Sequence, residues 1–304
     1  MVPLHENRGR SEQRQQQQIP WALQMLNLEC SGELANIPAP AAATESLPGF
    51  VENLPTAPLR LALVVPTLRE AGNIGVLLRR VRATLDALNI EYNLIVVDDD
   101  SRDGIEAIVG EIADADPRVR IVVREGRRGL AGAVIHGWRH SDAEILGVMD
   151  ADLQHPPELL SRLWHQVAQG ADLAVGSRYV TGGSIGEWNP LRRLISKLAI
   201  WITLPLQRAS ARAHDPMSGF FLVRRSCIGD LDLQTAGFKI LLEILVRGKV
   251  RSLAEVHFDF GTRRAGASKA SIKVAIDYAA LLFRLYRWRR GEIRSLPIKG
   301  PETA

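Results

Sequence analysis

Short apolar runs alternate with helix-length segments through the middle of the chain, and this alternation limits the possible folds more than any other feature. Strands that alternate with helices indicate βαβ units and a mainly parallel sheet. Strands that are apolar along their length fit a sheet covered by helices on both faces. The predicted strands are Leu59–Val65, Tyr92–Val97, Arg118–Val123, Glu144–Met149 and Ala171–Val175, and the predicted helices between them are Glu70–Leu88, Ile105–Ala113, Leu130–His140 and Pro157–Gln169. The sequence therefore predicts an α/β fold.

Residues 1–58 differ in composition from the rest of the chain. They contain the run Gln15–Gln18 and a later segment rich in proline and alanine, and such a composition buries little apolar surface. We predict a disordered or weakly docked arm over residues 1–58 and an α/β domain over residues 59–267. A basic amphipathic helix with a C-terminal tail is predicted over residues 268–304.

The charge balance of the chain favours anionic partners. With a net charge of +4 and a pI near 9.3, phosphates, a membrane surface and nucleic acid are all candidates. Nucleic acid is disfavoured, because the sequence has neither a nucleic-acid-binding motif nor a basic strand face interleaved with aromatic residues. Cys30 and Cys227 are the two cysteines and lack metal-ligand spacing, so we expect a reducing compartment and no disulfide framework.

The apolar runs are too short to cross a membrane. The longest uncharged one, Leu198–Gln207, has ten residues and contains Pro205, whereas a spanning helix needs roughly 20. The N-terminus also lacks the basic segment and apolar run of a secretory signal. We therefore expect any contact with a membrane to be peripheral.

Polar residues follow four of the five predicted strands, at the point where each strand ends. Since the ligands of open α/β sheets bind beyond the carboxyl ends of the strands, these residues are candidates for one binding site. Packing alone does not require such clustering. The four segments are Pro66–Glu70, Asp98–Ser101, Asp150–Asp152 and Gly176–Tyr179.

Two carboxylates, Asp150 and Asp152, follow the fourth predicted strand with one residue between them. Carboxylates delivered together at the end of a strand can converge on one hard cation, and Gln154 adds a neutral oxygen from the same side. Mg²⁺ and Mn²⁺ prefer oxygen ligands and usually keep water or substrate phosphates in their remaining positions. The alternative is that the aspartates only cap the following helix.

A dinucleotide-binding domain is disfavoured. It requires G-x-G-x-x-G directly after the first strand, where this chain has Pro66 and Thr67, and the glycine run Gly126–Gly132 follows the third strand instead. A sugar nucleotidyltransferase is disfavoured for the same reason, because it would also place a glycine-rich phosphate loop after its first strand, and that loop is missing here.

Seven motifs occur together in one order along the chain. They are Pro66-Thr67-x-x-Glu70, Asp98-Asp99-x-Ser101-x-Asp103-Gly104, Arg128-Gly129-Leu130, Asp150-Ala151-Asp152-Leu153-Gln154-His155-Pro156-Pro157, Gly176-Ser177-Arg178-Tyr179, Asp215-x-x-Ser218-Gly219-Phe220 and Arg263-x-x-Gly266-x-Ser268-Lys269. In this combination the chain resembles the polyprenol-phosphate (dolichol-phosphate) mannosyltransferases, inverting enzymes of glycosyltransferase family 2 with a GT-A, Rossmann-like fold. The resemblance runs from Leu59 to Lys269, about 70% of the chain. It implies transfer of a hexose, first of all mannose from GDP-mannose, to a polyprenyl phosphate.

The resemblance also implies a nucleoside pocket lined by Pro66, Glu70 and Asp99. A carboxylate suits such a pocket because it accepts hydrogen bonds from ring N–H groups and ribose hydroxyls. For Glu70 the alternative is an acid favoured by the dipole of the helix that follows. Leu68 and Arg69 stand where the family often has an aromatic residue and asparagine, so a base could pack on Leu68 without ring stacking.

For the diphosphate of the sugar nucleotide, the resemblance implies a divalent ion, Mg²⁺ or Mn²⁺, held by Asp150, Asp152 and Gln154. Lys269 is implied on the nucleotide sugar as well. The ion would act as a Lewis acid on the departing nucleoside diphosphate.

The acceptor phosphate is already ionised near neutral pH, because the second pKa of a phosphate ester is about 6. No protein general base is therefore expected. Cations are needed to bring the acceptor next to a diphosphate, and guanidinium groups suit phosphate geometry. The resemblance implies Arg178, Arg192, Arg193, Ser196 and Arg263 at the acceptor phosphate, and Asp152, Arg178 and Arg263 as the residues that carry the reaction.

Three further residues have two interpretations each. Asp215 and Ser218 are implied as a gating or orienting pair near the sugar, with a turn before a strand as the alternative. His155 could touch the metal site, although a histidine packed within its loop is favoured.

Two later segments, Leu191–Leu206 and Ile272–Trp288, are apolar over a broad face and carry arginines at their ends. Basic amphipathic helices with aromatic residues at the boundary lie in membrane interfaces. We therefore expect a peripheral location on the cytoplasmic face of a membrane, where anionic lipids attract basic clusters, and a separate membrane-spanning protein is a candidate partner. The alternative is a pair of helices packed on the sheet edge.

Two other functions are compatible with the same pattern. One is a polyprenyl-phosphate glucosyltransferase that uses UDP-glucose. The other is a non-catalytic membrane-docking protein on the same fold, which is disfavoured because Asp150, Asp152 and Gln154 are all present.

Overall fold

The computed structural model describes residues 59–126, 129–180, 190–229, 231–233, 239–258 and 272–291. For residues 190–196 and 272–275 it describes the backbone but not the side chains. The chain separates into two units, residues 1–52 and 53–304, and all described residues belong to the second. The predicted arm over residues 1–58 therefore lies outside the described residues.

Seven strands form one sheet in the order β3-β2-β1-β4-β6-β5-β7. The strands are β1 (Arg60–Thr67), β2 (Glu91–Asp98), β3 (Val119–Val123), β4 (Ile145–Val148), β5 (Leu173–Ser177), β6 (Phe221–Arg224) and β7 (Leu253–His257). The α-helices are α1 (Ala71–Ala87), α2 (Ile105–Ala115), α3 (Leu130–Arg139), α4 (Leu159–Ala168), α5 (Pro190–Thr203), α6 (Ile240–Arg247) and α7 (Ile272–Arg289).

The predicted α/β fold with a mainly parallel sheet is confirmed. All pairs of neighbouring strands are parallel except those made by β6, which runs antiparallel to both β4 and β5. The five strands and four helices predicted in the first half of the domain occur within two residues of the expected bounds. Strands β6 and β7 and helix α6 were not predicted.

The core lies on both faces of the sheet, as its apolar strands require. Along β1, Leu61, Leu63 and Val65 belong to one buried cluster, while Ala62 and Val64 belong to the cluster on the opposite face. Burying one such side chain contributes about 1.5–3 kcal/mol relative to leaving it exposed. Both faces of the central strand are therefore committed to packing, and only its end is available for chemistry.

Helix α3 packs unusually close to the sheet. A Cβ atom on Gly137 would lie 2.7 Å from a methyl carbon of Val64, so only glycine allows this approach. The close contact holds the last turn of α3 against the middle of β1.

The reversed direction of β6 decides which residues meet the strand ends. Parallel strands β1, β2 and β4 all deliver their carboxyl ends to one edge. Because β6 runs the other way, it begins at that edge, and the segment that precedes it, residues 215–220, lies there beside β4. The motif Asp215-x-x-Ser218-Gly219-Phe220 is thereby brought next to Asp150.

A buried carboxylate links α1, α2 and β3 away from this edge. Asp116 accepts hydrogen bonds from the backbone N–H (3.0 Å) and the Nε (2.9 Å) of Arg118, and it lies 2.9 Å from the Nε of Arg82. The hydrogen bonds from Arg118 are the main reason that the pKa of Asp116 falls to about 2. A carboxyl whose pKa is lower in the folded state stabilises the fold above its ordinary pKa and ceases to do so as pH falls through the folded value.

We expect Asp116→Asn to lower the free energy of unfolding by about 1–2 kcal/mol at pH 7, an amount reduced because Arg118 is partly exposed. The difference from the wild type should shrink as pH falls from about 4 towards 2. Urea unfolding across this range measures it, with Asp114→Asn on the exposed side of the same helix end as control. A difference that persists at pH 2 would show that the charge of Asp116 is not responsible.

Candidate active site

A cavity of about 300 Å³ opens at the carboxyl edge of the sheet, between the ends of β1, β2 and β4. Residues from all three strand ends line it together with the start of α3, so three of the four polar segments meet here, whereas no residue of the fourth, Gly176–Tyr179, is among those that line it. The lining residues are Pro66, Thr67, Leu68, Glu70, Asp99, Gly129, Leu130, Ala133, Asp150, Ala151 and Asp152.

The end of the cavity next to β2 contains Asp99. One carboxylate oxygen accepts a hydrogen bond from the backbone N–H of Gly129 (2.7 Å), and the other lies 3.3 Å from the Nε of Arg124. Both side chains of this ion pair are more than 90% buried. Arg124 carries no motif signal and was missed in the sequence, yet it fixes the carboxylate that faces the pocket.

The neighbouring Asp98 holds the loops after β1 and β2 in place. Its carboxylate accepts hydrogen bonds from the hydroxyl of Thr67 (2.8 Å) and from both the hydroxyl and the backbone N–H of Ser101. The Ser101 hydroxyl oxygen in turn accepts from the backbone N–H of Arg69 (2.7 Å). Arg69 has a φ of 63°, a conformation that costs a non-glycine residue on the order of 1 kcal/mol and is retained only where the surroundings enforce it.

Glu70 lies at the mouth of the cavity, directly before α1. Its carboxylate accepts a hydrogen bond from the side-chain amide of Asn73 (2.8 Å). The first-turn alternative for Glu70 and the pocket-lining prediction are therefore compatible, because the side chain starts the helix and still borders the pocket.

Asp150 and Asp152 lie at the opposite end of the cavity, directly beyond β4. Between Asp152 and Gln154 the chain turns through Leu153, whose φ is 61°. This turn lets the backbone N–H of Gln154 donate to Oδ1 of Asp152 (3.1 Å), which fixes that carboxylate. Within the described residues, no cluster of three or more histidine, cysteine or acidic side chains could hold a metal ion.

The donor set fits a divalent ion that completes its shell with a substrate. Two carboxylates bordering one cavity, with an amide oxygen two residues further on, are hard oxygen ligands of the kind that Mg²⁺ and Mn²⁺ take. Two acidic ligands leave positions for phosphate oxygens, whereas a closed structural site would use more protein ligands.

Gly219 forms the wall behind the Asp150 carboxylate. A Cβ atom at this position would lie 2.7 Å from Cγ of Asp150 and closer still to Oδ2. The motif Ser218-Gly219 thus has a steric explanation: any larger residue would push the carboxylate out of its place.

Arg178 lies beside this wall and is paired with Asp215. The Nε of Arg178 donates to Oδ2 of Asp215 (2.7 Å) and its Nη2 donates to Oδ1 (2.8 Å). Burial pulls the pKa of Arg178 down, but the hydrogen bonds and charge of fully buried Asp215 outweigh it and raise the pKa above the ordinary value. Arg178 was predicted at the acceptor phosphate, but two of its N–H groups already donate to Asp215. These two bonds orient the guanidinium.

The contacts of Asp215 and Ser218 fit the turn interpretation, and their role near the sugar stays a prediction. Asp215 orients Arg178, whereas the Ser218 hydroxyl donates to the backbone oxygen of Gly176 (2.7 Å) and stabilises the turn before β6. His155 is buried between the rings of Phe220 (5.5 Å) and Phe258 (5.3 Å). Burial lowers the pKa of His155 to about 4, so the packing interpretation is favoured.

Several predicted acceptor residues are not placed. Arg263 and Lys269 lie outside the described residues. Arg192, Arg193 and Ser196 belong to helix α5, but their side chains also lie outside the description. Lys239, which no motif singled out, lies close enough to Asp150 and Arg178 for their charges to affect its pKa.

Helices α5 and α7 form a second layer that is attached through α6. The hydroxyl of Tyr278 donates to the backbone oxygen of Ala199 (2.7 Å), and Arg289 donates to the backbone oxygen of Gln207 (3.0 Å). Leu206, Leu242, Val246, Leu281 and Leu285 form the buried cluster between the helices.

Large apolar side chains on this layer nevertheless face solvent. Exposed fractions reach 69% for Trp201 on α5 and 62% for Phe283 on α7. The other large exposed apolar residues of the two helices are Leu198, Ile202, Ile276 and Tyr286. None of the helices in the described part of the chain is both long and apolar enough to cross a membrane.

Residues 62–231 match the family model described as glycosyl transferase family 2. A dolichol-phosphate mannosyltransferase from Pyrococcus furiosus is 40% identical over 238 residues, which cover 77% of this chain and 66% of the relative. The protein of the same name from Mycosarcoma maydis is 38% identical over 243 residues, which cover 76% of this chain and 81% of the relative. The chain thus spans just under two thirds of the length of the archaeal relative.

A solved structure with the same architecture is the mannosyltransferase PcManGT from Pyrobaculum calidifontis in complex with GDP-Man and Mn²⁺. It superposes with a TM-score of 0.52 at 18% identity and covers 83% of this chain and 69% of its own. The likeness confirms the fold, a GT-A sheet flanked by helices.

We expect Gly219→Ala to lower turnover on the order of 100-fold, because a misplacement of about 1 Å at a reacting centre costs that much. Gly110→Ala is the matched control, since a Cβ on Gly110 in α2 has no atom within 4 Å. Steady-state rates measure the loss, and circular dichroism checks that both variants are folded. Equal rates for the two variants would show that Asp150 does not need its observed position.

Proposed function

The chain belongs to glycosyltransferase family 2, among the dolichol-phosphate mannosyltransferases, and on this premise we propose that it transfers mannose from GDP-mannose to a polyprenyl phosphate. The observation that carries the proposal is the single cavity bordered by Pro66, Glu70 and Asp99 at one end and by Asp150 and Asp152 at the other. Its two ends suit the two parts of a sugar nucleotide. The products would be polyprenyl-phosphate mannose, with the anomeric configuration inverted, and a nucleoside diphosphate.

The nucleoside end of the cavity is built to recognise donors of hydrogen bonds. Asp99 is held by Arg124 and by Gly129, and each carboxylate oxygen has more than one acceptor site. It can therefore accept a ring N–H or a ribose hydroxyl without leaving its partners. Leu68 supplies an apolar surface on which a base can pack.

At the diphosphate end, Asp150 and Asp152, with Gln154 as a third oxygen ligand, would hold Mg²⁺ or Mn²⁺. Such an ion neutralises the charge that develops on the leaving nucleoside diphosphate. Gly219 keeps the Asp150 carboxylate against the cavity, and the backbone N–H of Gln154 fixes that of Asp152. These contacts support the assignment of the diphosphate to this end of the cavity.

The acceptor side requires positive charge rather than a base. A phosphate monoester is already ionised near neutral pH, so the protein need only hold it in line with the sugar. Arg178, oriented by Asp215, is a described guanidinium close enough to Asp150 for the charge of Asp150 to raise its pKa. Arg192, Arg193, Ser196 and Arg263 stay predictions for the same role.

The acceptor is a lipid, and the α5–α7 layer is suited to meet it. Trp201 and Ile202 are exposed on α5 and Phe283 on α7, and the exposed arginines Arg289 and Arg290 lie at the end of α7. Apolar side chains beside cationic ones bind the interface of anionic membranes. We propose that this layer docks on the cytoplasmic face of a membrane, and a membrane-spanning partner protein would meet the same surface.

The transfer reaction is tested with purified protein, a polyprenyl phosphate, Mg²⁺ or Mn²⁺ and a panel of sugar nucleotides. We expect release of nucleoside diphosphate with GDP-mannose. Asp152→Ala should lower the rate by at least about 100-fold, since a metal ion contributes several kcal/mol to such a reaction. The proton spectrum of the product reports the anomeric configuration.

Asp142→Ala is the control for loss of a carboxylate, because Asp142 is 83% exposed before β4 and remote from the cavity. Release with UDP-glucose but not with GDP-mannose would replace the donor in the proposal by the glucosyl alternative. A protein that is folded but inactive with every donor would sink the proposal as a whole.

Membrane docking is tested by flotation with vesicles that contain anionic lipids. The wild type should float, and Trp201→Glu combined with Phe283→Glu should lower the bound fraction by at least about tenfold, because two charges would enter the apolar boundary. The control is Ala115→Glu, an exposed position at the end of α2. Equal flotation of both variants would exclude this face as the docking surface.

A further inference from the structure

Lys239 is a cation of the site region that the proposed mechanism leaves unused. It lies directly before α6, and its Nζ donates to the backbone oxygen of Met217 (3.3 Å). Burial of the ammonium and, to a smaller extent, the charge of Arg178 lower the pKa of Lys239 to about 8, although the charges of Asp150 and Asp215 act in the opposite direction. A buried ammonium is unfavourable unless carboxylates or carbonyls compensate for the lost water.

The loop that Lys239 contacts is the wall of the active site. Residues 215–219 contain Asp215, which is paired with Arg178, and Gly219, whose backbone packs against the Asp150 carboxylate. The other side of the loop is held by Ser218, which donates to the backbone oxygen of Gly176. Met217, between these anchors, is the residue whose carbonyl Lys239 holds.

Lys239 also places a positive charge near the carboxylates of this region. Arg178 and Asp215 form a bidentate pair that compensates itself. The charge of Asp150 favours the protonated form of Lys239, and it does so more than the charge of Asp215. The attraction between the ammonium and the Asp150 carboxylate opposes rotation of that carboxylate.

We propose that Lys239 is a positioning residue, which fixes the loop 215–219 and thereby sets the direction of the Asp150 carboxylate. The consequence for diphosphate binding rests on the proposed function. The positioning itself is a property of the free protein and is tested without any substrate. Groups that orient metal ligands from behind typically change metal affinity or activity by 10–100-fold when they are removed.

The first measurement is hydrogen exchange of the metal-free protein, followed by mass spectrometry of peptides that contain residues 215–219. Lys239→Met keeps the apolar stem and removes both the donor and the charge. We expect exchange in this loop to rise by about tenfold or more, while peptides from β1 and α1 are unchanged. The matched control is Lys249→Met, which removes an exposed lysine at the other end of α6.

The second measurement is the affinity for Mn²⁺ alone, followed by electron paramagnetic resonance. Lys239→Met should weaken binding about tenfold if Asp150 loses its direction. Tighter binding would overturn the proposal, because it would show that the ammonium only repels the ion. Lys239→Gln carries both measurements if Lys239→Met does not fold.

The two measurements separate this inference from the proposed function. Unchanged exchange in residues 215–219 overturns the positioning role whatever the enzyme transfers. A wild-type protein that binds no Mn²⁺ contradicts the metal assignment in the proposed function, whereas the exchange data still decide the role of Lys239. Raised exchange together with weaker Mn²⁺ binding supports the inference.

Discussion

Burial of negative charge at one edge of the sheet is the constraint on which the rest of the structure depends. Asp98, Asp99, Asp152 and Asp215 are each less than 10% exposed, and a buried carboxylate is costly unless it is paired and hydrogen-bonded. The fold provides a different kind of partner for each: hydroxyls for Asp98, a backbone N–H and an arginine for Asp99, and a bidentate guanidinium for Asp215. Asp152 receives a backbone N–H from the turn at Leu153. The carboxylates of this edge are thus held in fixed positions in the protein itself.

Periodicity and strand-end composition predicted the first half of the domain because each element there carries its own signal. Strands β1 to β5 are apolar runs ended by polar residues, and the helices between them have one buried face. Helix α6 carries no such signal, because all eight of its residues are buried, including Glu243 and Arg247, which pair with each other. Strand β6 has four residues and runs against its neighbours, and such a strand is not distinguishable from a loop by alternation of helices and strands.

The site was predictable where a motif is contiguous and was not where a contact joins distant segments. Asp150, Asp152 and Gln154 stood out by their spacing, although spacing alone left capping of the next helix as an alternative. The pairing of Arg178 with Asp215 joins residues 37 positions apart, and the contacts of Arg124 with Asp99 and of Lys239 with Met217 depend on loops whose paths no local pattern specifies. For this reason the polar residues of the strand ends and Arg178 were predicted, but Arg124, Lys239 and the partner of Arg178 were not.

The reversed strand β6 has a consequence for how the α5–α7 layer is connected to the cavity at the carboxyl edge of the sheet. Only residues 204–220 separate the end of α5 from β6, and this stretch is pinned throughout: Gln207 bonds to Thr203 and Ala213, and Asp215 bonds to Arg178. A connection that is held by such hydrogen bonds is rigid rather than flexible. A change in the length of α5 would therefore have to be accommodated on its amino-terminal side, since an insertion between Thr203 and Phe221 would displace Gly219, which packs against Asp150.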